Sequence, residues 1–169
     1  PLIPYKKLFR YHKHLWKINY EEDYSVKEND WINKVDEMLF DATKLRLISD
    51  VPTGIFLSGG IDSSLVAHYS SIQNQHKKPK AFTIKFNDDD YNEFEIAKKV
   101  AISKNIELIS LNINNNSLDD IHKCFRNVGE PFSDSSILNQ YNLSSLARDY
   151  ATVVLSGDGG DEIFCGYNR

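Results

Sequence analysis

Phe56-Leu-Ser-Gly-Gly-Ile-Asp-Ser-Ser-Leu65, the stretch FLSGGIDSSL, decides the fold that we expect for this chain. It continues a short apolar run over residues 54–58 that is bounded by glycines, a pattern typical of a buried strand. After the glycines the sequence becomes apolar again at helical spacing, which predicts a strand, a tight turn and a helix. Three serines and an aspartate surround that turn, so its chemistry favours a ligand site over a plain connection.

Strand and helix patterns alternate outward from this stretch. Strands are predicted over residues 54–58, 80–86, 106–113 and 152–156, from short runs rich in branched and aromatic side chains. Amphipathic spacing predicts helices over residues 30–50, 61–75, 91–105, 117–128 and 137–150. This alternation predicts an α/β fold, a doubly wound parallel sheet with flanking helices and right-handed crossovers.

The loop after the first strand has the chemistry of a phosphate cradle. Gly59 and Gly60 let backbone N–H groups approach a ligand, and the following helix points the positive end of its dipole at the same place. The hydroxyls of Ser58, Ser63 and Ser64 can donate to phosphate oxygens. Neither the G-x-x-x-x-G-K-[ST] spacing of a Walker loop nor the G-x-G-x-x-G spacing of a dinucleotide loop is present.

Acidic residues in two turns suggest a metal ion. Asp62 would repel bare phosphate unless Mg²⁺ bridges the two. After the fourth strand, Asp158, Asp161 and Glu162 place three carboxylates close together, which is unfavourable unless a cation or a proton neutralises them. An exposed acidic turn is the alternative for this second cluster. Both turns follow strands, however, and the carboxyl ends of parallel strands are where ligands bind in such sheets.

Composition indicates one ordinary globular domain. The chain has 169 residues, 41% of them hydrophobic and 26% charged. Its formal net charge of -4 gives no general attraction to nucleic acid or an anionic membrane, and we interpret the short basic stretch over residues 5–17 as a solvated linker. No apolar run approaches the ~18 residues of a membrane span. Two cysteines far apart in sequence fit a reducing compartment, so we expect a cytoplasmic protein.

Three motifs, in order, resemble one known family. SGGIDSS at residues 58–64 resembles the pyrophosphate-loop signature S-G-G-x-D-S of the ATP pyrophosphatases. With VPTGIFLSGGIDSSL around it, EPFSDSSILNQYNLSSLAR at residues 130–148 and LSGDGGDEIFCGY at residues 155–167, the chain looks like the synthetase domain of glutamine-dependent asparagine synthetases. The first motif is shared with GMP, NAD and argininosuccinate synthetases, and the last narrows the match. The resemblance covers residues 31–169 and implies a PP-loop, adenine nucleotide alpha hydrolase-like fold.

The resemblance implies an ATP- and Mg²⁺-dependent carbon–nitrogen ligase. Aspartate would be adenylylated with release of pyrophosphate, and ammonia would then attack β-aspartyl-AMP to give asparagine and AMP. The ammonia would come from glutamine through a glutaminase domain, and we expect no nucleic-acid or membrane partner. A homodimer of the full-length enzyme is a further expectation.

The resemblance also implies roles for individual residues. The pyrophosphate of ATP would be held by Ser58, Gly59, Gly60, Asp62, Ser63 and Ser64. The adenosine part would contact Leu57 and Ile84 at strand ends by backbone and side chain, and the adenylate would contact Ser156 and Gly157 at the fourth strand. Mg²⁺ would be held by Asp62 and Asp161, and Asp158 would be the catalytic base for ammonia attack. The substrate pocket would include Glu130 and Asp134.

Departures from the family pattern predict a partial chain. Pro1 stands where the glutaminase half of the family begins with a cysteine nucleophile, and the helices and lysine that follow the last motif in the family are missing. We therefore expect residues 1–28 to be a linker or edge segment from an absent N-terminal glutaminase domain. Residues 29–169 would be a synthetase domain truncated at the C-terminus and inactive alone.

Two other functions stay open at this point. One is a relative that uses the same adenylylating core on another carboxylate, such as a β-lactam synthetase, a lasso-peptide cyclase or a polysaccharide amidotransferase. The other is a non-catalytic nucleotide-binding module of the same fold. Paired metal carboxylates argue against the second alternative, because a protein that only binds nucleotide does not need them.

Overall fold

The structure is a computed structural model that describes residues 27–74, 78–86, 93–113, 118–130, 134 and 136–167. The chain divides into two compact units, Pro1–Lys34 and Val35–Arg169. In the first unit the described residues begin a helix, on which the Lys34 ammonium lies 5.9 Å from the centre of the Trp31 ring. The predicted linker over residues 1–28 lies almost entirely outside the described residues.

Helices and strands alternate along the described chain. The helices are α1 (Glu28–Leu47), α2 (Ile61–Gln73), α3 (Phe94–Ser103), α4 (Leu118–Val128), α5 (Ser136–Arg148) and α6 (Gly160–Phe164). The strands are β1 (Thr53–Phe56), β2 (Lys80–Phe86), β3 (Glu107–Ile113) and β4 (Val153–Leu155). Among the described residues, no helix is both long enough and apolar enough to cross a bilayer.

The strands form a parallel sheet with the order β3-β2-β1-β4 in the described part of the chain. β1 is central, with Ile55 opposite Ala81 of β2 on one side and opposite Leu155 of β4 on the other. The chain builds the sheet outward from β1 to β3 and then returns to the other side of β1. The order of the strands therefore reverses between β1 and β4, and such a switch point is where parallel sheets bind ligands.

Side chains alternate between two cores, one on each face of the sheet. The first core joins β1 and β2 to helices α2 and α3 through Ile55, Leu57, Ala67, Ala81, Ala97 and Ala101. The second joins Phe82 of β2 to α5 and the segment after it through Leu143, Ala147 and Ala151. Alanines at these helix positions let the helices approach the sheet closely. Helices cover both faces, so the predicted doubly wound sheet is confirmed.

The ends of several elements differ from the prediction. The first strand ends at Phe56, although the Leu57 N–H still donates to the Phe82 carbonyl at 2.9 Å before the chain turns away. Helix α3 ends at Ser103, close to Asn105, whose φ of 53° is incompatible with a continuing helix. Helix α6 was not predicted, because it spans only 5 residues and begins with a glycine, a poor helix former.

Candidate active site

Serine hydroxyls close the loop between β1 and α2. The Oγ atoms of Ser58 and Ser63 lie 2.9 Å apart, and the Ser63 hydroxyl also donates to the Gly60 carbonyl at 3.2 Å. The Gly60 N–H donates to Ser58 Oγ at 3.2 Å, and the Ser64 hydroxyl donates to the Gly60 carbonyl at 2.7 Å. The three hydroxyls that were predicted to bind phosphate thus brace the loop here. A phosphate that used them as donors would compete with these bonds.

Gly59 packs the same loop against the start of α3. Its φ of 95° lies in the region that side chains disfavour. A Cβ atom at this position would also lie 2.8 Å from the Glu93 carbonyl oxygen and 3.1 Å from Ile96 Cβ. The first turn of α3 therefore forms one wall of the loop. Sequence reasoning missed this wall, and the only signal for it was the glycine itself.

Asp62 connects this loop to the loop after β4. A Cβ atom at Gly160 would lie 2.5 Å from Asp62 Oδ2 and 2.7 Å from Oδ1, so the Asp62 carboxylate sits directly on the first residue of α6. A Cβ atom at Gly157 would lie 2.6 Å from the Ser63 nitrogen and 2.9 Å from the Asp62 carbonyl carbon. The structure therefore brings the two predicted motifs into contact across the switch point of the sheet.

The first carboxylate of the loop after β4, that of Asp158, is held by a hydrogen bond from within the same loop. The Ser156 hydroxyl donates to Asp158 Oδ2 at 2.8 Å, and the Asp158 side chain is exposed. Gly159, with a φ of 96°, then turns the chain into α6. Ser156, Gly157 and Asp158 are thus held at the edge of the sheet where they were expected.

The remaining carboxylates of this segment have separate partners. The Asp161 carboxylate lies against Gly166. Glu162 accepts a hydrogen bond of 2.6 Å from the Tyr167 hydroxyl, which lowers the pKa of Glu162 below its ordinary value. Two of the three carboxylates that were expected to crowd thus have hydrogen-bond partners of their own, Asp158 in Ser156 and Glu162 in Tyr167. Within the described ranges, no group of three or more His, Cys, Asp or Glu side chains could hold a metal ion.

The carboxylates still fit Mg²⁺ in a nucleotide site. Mg²⁺ is usually bound there by one or two protein carboxylates, with phosphate oxygens and waters completing its octahedron. Asp62 is fixed between the two loops, and Asp161 follows directly after the glycine on which Asp62 sits. The donor set suits a metal that arrives with the phosphates, and it does not suit a metal held by protein alone.

Two residues that were predicted to contact the nucleotide, Leu57 and Ile84, expose little of their surface. Leu57 is 1% exposed as a whole residue and belongs to the first core, and its N–H already donates to the Phe82 carbonyl at 2.9 Å. The contact of Leu57 with a nucleotide stays a prediction. Ile84 is partly buried and packs against the second core, on the opposite face of the sheet.

The two predicted substrate residues flank the turn between α4 and α5. Glu130 is exposed after the end of α4. Asp134 Oδ1 accepts the Ser136 N–H at 2.9 Å, where α5 begins, and this bond lowers the pKa of the exposed Asp134 carboxyl. In this structure Asp134 therefore caps a helix, a structural role that the sequence prediction did not include.

Comparison with known proteins identifies relatives over most of the chain. The family model described as asparagine synthase matches residues 34–169. Asparagine synthetase [glutamine-hydrolyzing] 1 of Bacillus subtilis is 36% identical over 149 residues, which cover 88% of this chain and 22% of that protein. Putative asparagine synthetase [glutamine-hydrolyzing] 2 of Methanocaldococcus jannaschii is 37% identical over 154 residues, which cover 90% of this chain and 29% of that protein. The chain thus spans less than a third of the length of either relative.

Solved structures share the fold at lower identity. The glutamine-dependent NAD⁺ synthetase from Acinetobacter baumannii, in complex with ADP, has a TM-score of 0.58 at 21% identity and covers 80% of this chain and 27% of its own. The NH3-dependent NAD synthetase from Campylobacter jejuni has a TM-score of 0.54 at 20% identity, with 81% of this chain and 61% of its own covered. These similarities confirm the predicted α/β fold.

Proposed function

The chain belongs to the asparagine synthase family, and on that premise we propose that it carries the adenylylating site of a glutamine-dependent asparagine synthetase. One observation carries the proposal. Gly157 and Gly160 pack directly on Asp62 and Ser63, so the pyrophosphate-loop motif and the second acidic motif meet at the switch point of the sheet. A site for one nucleotide needs both motifs within reach of the same phosphates.

In this proposal the nucleotide lies across the carboxyl ends of β1, β2 and β4. The loop from Ser58 to Ser64 receives the β- and γ-phosphates, near the start of α2, whose dipole favours negative charge there. Ile84 at β2, and Ser156 and Gly157 after β4, border the adenylate part. Asp62 and Asp161 would hold Mg²⁺, which when bound would supply positive charge beside the pyrophosphate.

The reaction has two displacement steps. A β-carboxylate oxygen of aspartate attacks the α-phosphorus of ATP, and the bond from that phosphorus to pyrophosphate breaks. Ammonia then attacks the activated carbonyl carbon, the carbon–oxygen bond to AMP breaks, and asparagine and AMP leave. Adenylylation replaces a poor leaving group with AMP, while the protein contributes mainly orientation and electrostatic stabilisation.

Asp158 is the residue that we propose as the base in the second step. Its exposed carboxylate is held by the Ser156 hydroxyl at 2.8 Å, on the loop that borders the adenylate. It would take a proton from the attacking ammonia as the new carbon–nitrogen bond forms. Glu130 and Asp134 would face the amino acid from the loop before α5, provided that Asp134 gives up its bond to the Ser136 N–H.

The test is pyrophosphate release by the full-length protein with ATP, Mg²⁺, aspartate and ammonia, with asparagine measured in parallel. Supplying ammonia directly makes the assay independent of glutamine hydrolysis. Asp62→Asn should reduce release by at least about 100-fold, because the variant loses the charge of one of the two carboxylates proposed to hold the metal. Asp149→Asn is the matched control, since Asp149 is exposed just before β4, at the opposite edge of the sheet, and should leave release unchanged.

Other outcomes would identify a different function. Release that needs another carboxylic acid in place of aspartate would indicate a relative acting on that acid. ATP binding with no release for any acid would indicate a nucleotide-binding module. Aspartate-dependent release that Asp62→Asn retains would contradict the proposed site.

A further inference from the structure

The backbone conformation of Gly166 does not explain why a glycine stands at this position. The glycines with positive φ in the described residues are Gly59, Gly129 and Gly159, so Gly166 has a conformation that other residues can adopt. A Cβ atom at Gly166, however, would overlap Asp161 Oδ1 and approach the Asp161 Cγ at 3.0 Å and Cα at 3.3 Å. The Asp161 carboxylate therefore fills the space that a side chain at residue 166 would need.

The turn that contains Gly166 folds back on the same aspartate. The N–H groups of Cys165 and Gly166 both donate to the Asp161 carbonyl, the latter at 3.0 Å. One residue further on, the Tyr167 hydroxyl donates to Glu162 Oε1 at 2.6 Å and ties the end of the turn to α6. The backbone and the side chain of Asp161 are thus both set by residues 165–167.

We propose that Gly166 is a positioning residue for Asp161, and that the Tyr167–Glu162 hydrogen bond closes the turn in which Asp161 is held. The inference rests on the proposed function, in which Asp161 binds Mg²⁺ with the pyrophosphate. A methyl group at residue 166 forces the carboxylate into another rotamer, because it would overlap Asp161 Oδ1 at the far end of a side chain that can rotate, whereas the 3.3 Å approach to Asp161 Cα needs only a small backbone shift. Asp161 then no longer presents its oxygen to the metal in the same geometry.

The experiment measures metal binding separately from catalysis. The full-length protein is titrated with the Mn²⁺–ATP complex in the absence of aspartate, and bound Mn²⁺ is followed by electron paramagnetic resonance. Metal-free ATP binding is measured by calorimetry in the presence of EDTA. Gly166→Ala should raise the Kd for Mn²⁺–ATP by at least about tenfold and leave metal-free ATP binding unchanged, as expected when one carboxylate ligand is misplaced. Cys165→Ala, in the same turn and exposed, should change neither, because the bond from Cys165 to Asp161 uses its backbone N–H, which alanine keeps.

A second variant keeps the inference testable if Gly166→Ala does not fold. Tyr167→Phe removes the bond to Glu162 and adds no volume, and it should raise the Mn²⁺–ATP Kd by about tenfold, the low end of the range for loss of one supporting bond to a metal site. An unchanged Kd in a folded Gly166→Ala protein, or in Tyr167→Phe when the first variant does not fold, overturns the inference. Equal weakening of metal-free and metal-bound ATP also overturns it, since that is the result of a merely structural defect.

The inference and the proposed function can fail separately. Asp161→Asn should weaken Mn²⁺–ATP binding in the unsubstituted background. If it does not, while wild-type protein still releases pyrophosphate with aspartate, Asp161 is not a ligand and the inference is wrong although the function stands. Wild-type protein that neither binds Mn²⁺–ATP nor releases pyrophosphate contradicts the proposed function itself.

Discussion

Several positions at the site require glycine. At each of them the glycine packs against a different neighbour, which leaves no room for a side chain. Gly59 has a positive φ and lies against the backbone of α3. Gly157 and Gly160 have ordinary backbone conformations and lie against Asp62 and Ser63. Substitution at these positions should therefore act on the phosphate loop through packing, even where the glycine itself touches no ligand.

Gly157→Ala tests this directly. Its Cβ would lie 2.6 Å from the Ser63 nitrogen and 2.9 Å from the Asp62 carbonyl carbon, and backbone atoms cannot rotate away as a side chain can. We expect the two loops to separate, with a loss of about 1–3 kcal/mol in unfolding free energy, as for overpacking, and at least tenfold weaker ATP binding. Thermal unfolding and calorimetry with ATP measure the two effects.

Gly129→Ala is the control for Gly157→Ala. Gly129 has a φ of 77° but no atom within 4 Å of the added Cβ, so its substitution introduces backbone strain without a collision. It should reduce stability and leave the Kd for ATP unchanged. If both variants weaken ATP binding to the same degree, the loss reflects general destabilisation and contact between the loops is not its cause.

Helices α1 and α2 are joined by polar contacts as well as by packing. The Tyr69 hydroxyl donates to Asp36 Oδ1 at 2.6 Å, and the Gln73 amide donates to the Phe40 carbonyl at 3.0 Å. The Phe40 and Tyr69 rings meet edge to face, with centroids 6.3 Å apart. Because α2 begins at the phosphate loop, this interface anchors the helix on which the loop depends.

Tyr69→Phe should lower the unfolding free energy by about 1–2 kcal/mol, because a bond to a charged acceptor is lost while the ring stays.

Burial, together with the hydrogen bond to Asp36, raises the pKa of Tyr69 to about 12 from its ordinary 10.0. The stabilisation is complete below pH 10 and is lost as the pH rises toward 12, since the unfolded chain ionises first. Urea midpoints against pH for the 169-residue chain should show this alkaline decline in wild type and a weaker one in Tyr69→Phe.

We expect His68 to give the stability of the fold the opposite pH dependence, with a loss of stability at acidic pH. Burial, and then the positive charge of Lys104, lower the pKa of His68 below its ordinary 6.5, although Asp36 opposes the shift. As the pH falls below 6.5 the unfolded chain binds a proton that the folded chain does not, so stability decreases. His68→Gln should remove this part of the acid decline, and an unchanged profile would show that other groups cause it. The urea midpoints of wild type and His68→Gln between pH 7.5 and 5 measure this loss of stability at acidic pH.

At the scale of the whole molecule, the sheet depends on a large ring at its centre. Phe82 is fully buried in β2, and a Cβ atom at Gly54 of β1 would overlap its ring. The Tyr150 ring lies 5.9 Å away, and the Lys80 ammonium lies 4.8 Å from the centre of the Tyr150 ring. Gly54 thus makes room for the side chain that joins the central strands to the helices of the second face.

Phe82→Ala should cost about 3–5 kcal/mol, enough to unfold much of the domain, because the cavity lies where two strands and a helix meet. Phe125→Ala is the matched control, since Phe125 is 42% exposed on α4 and its loss should cost less than about 1 kcal/mol. Urea unfolding of both variants measures the difference. Equal midpoints would show that the second core does not stabilise the sheet.

The sequence by itself determined the order of the four strands and of helices α1 to α5, the parallel α/β class and the residues that form the two loops. These features depend on short-range patterns: apolar periodicity, and glycines beside strand ends. The position of the site followed from them, because the carboxyl ends of parallel strands share one edge of the sheet. Family resemblance then assigned roles that no local pattern contains.

Only the tertiary structure decided how those residues meet. It shows that Asp62 sits on Gly160 and that Leu57 is buried in the core. Sequence proximity suggested that Asp158, Asp161 and Glu162 crowd together, whereas in the structure they contact three different neighbours, Ser156, Gly166 and Tyr167. The physical reason is that a side chain's surroundings depend on contacts between segments far apart in the chain, and local periodicity carries no information about those contacts.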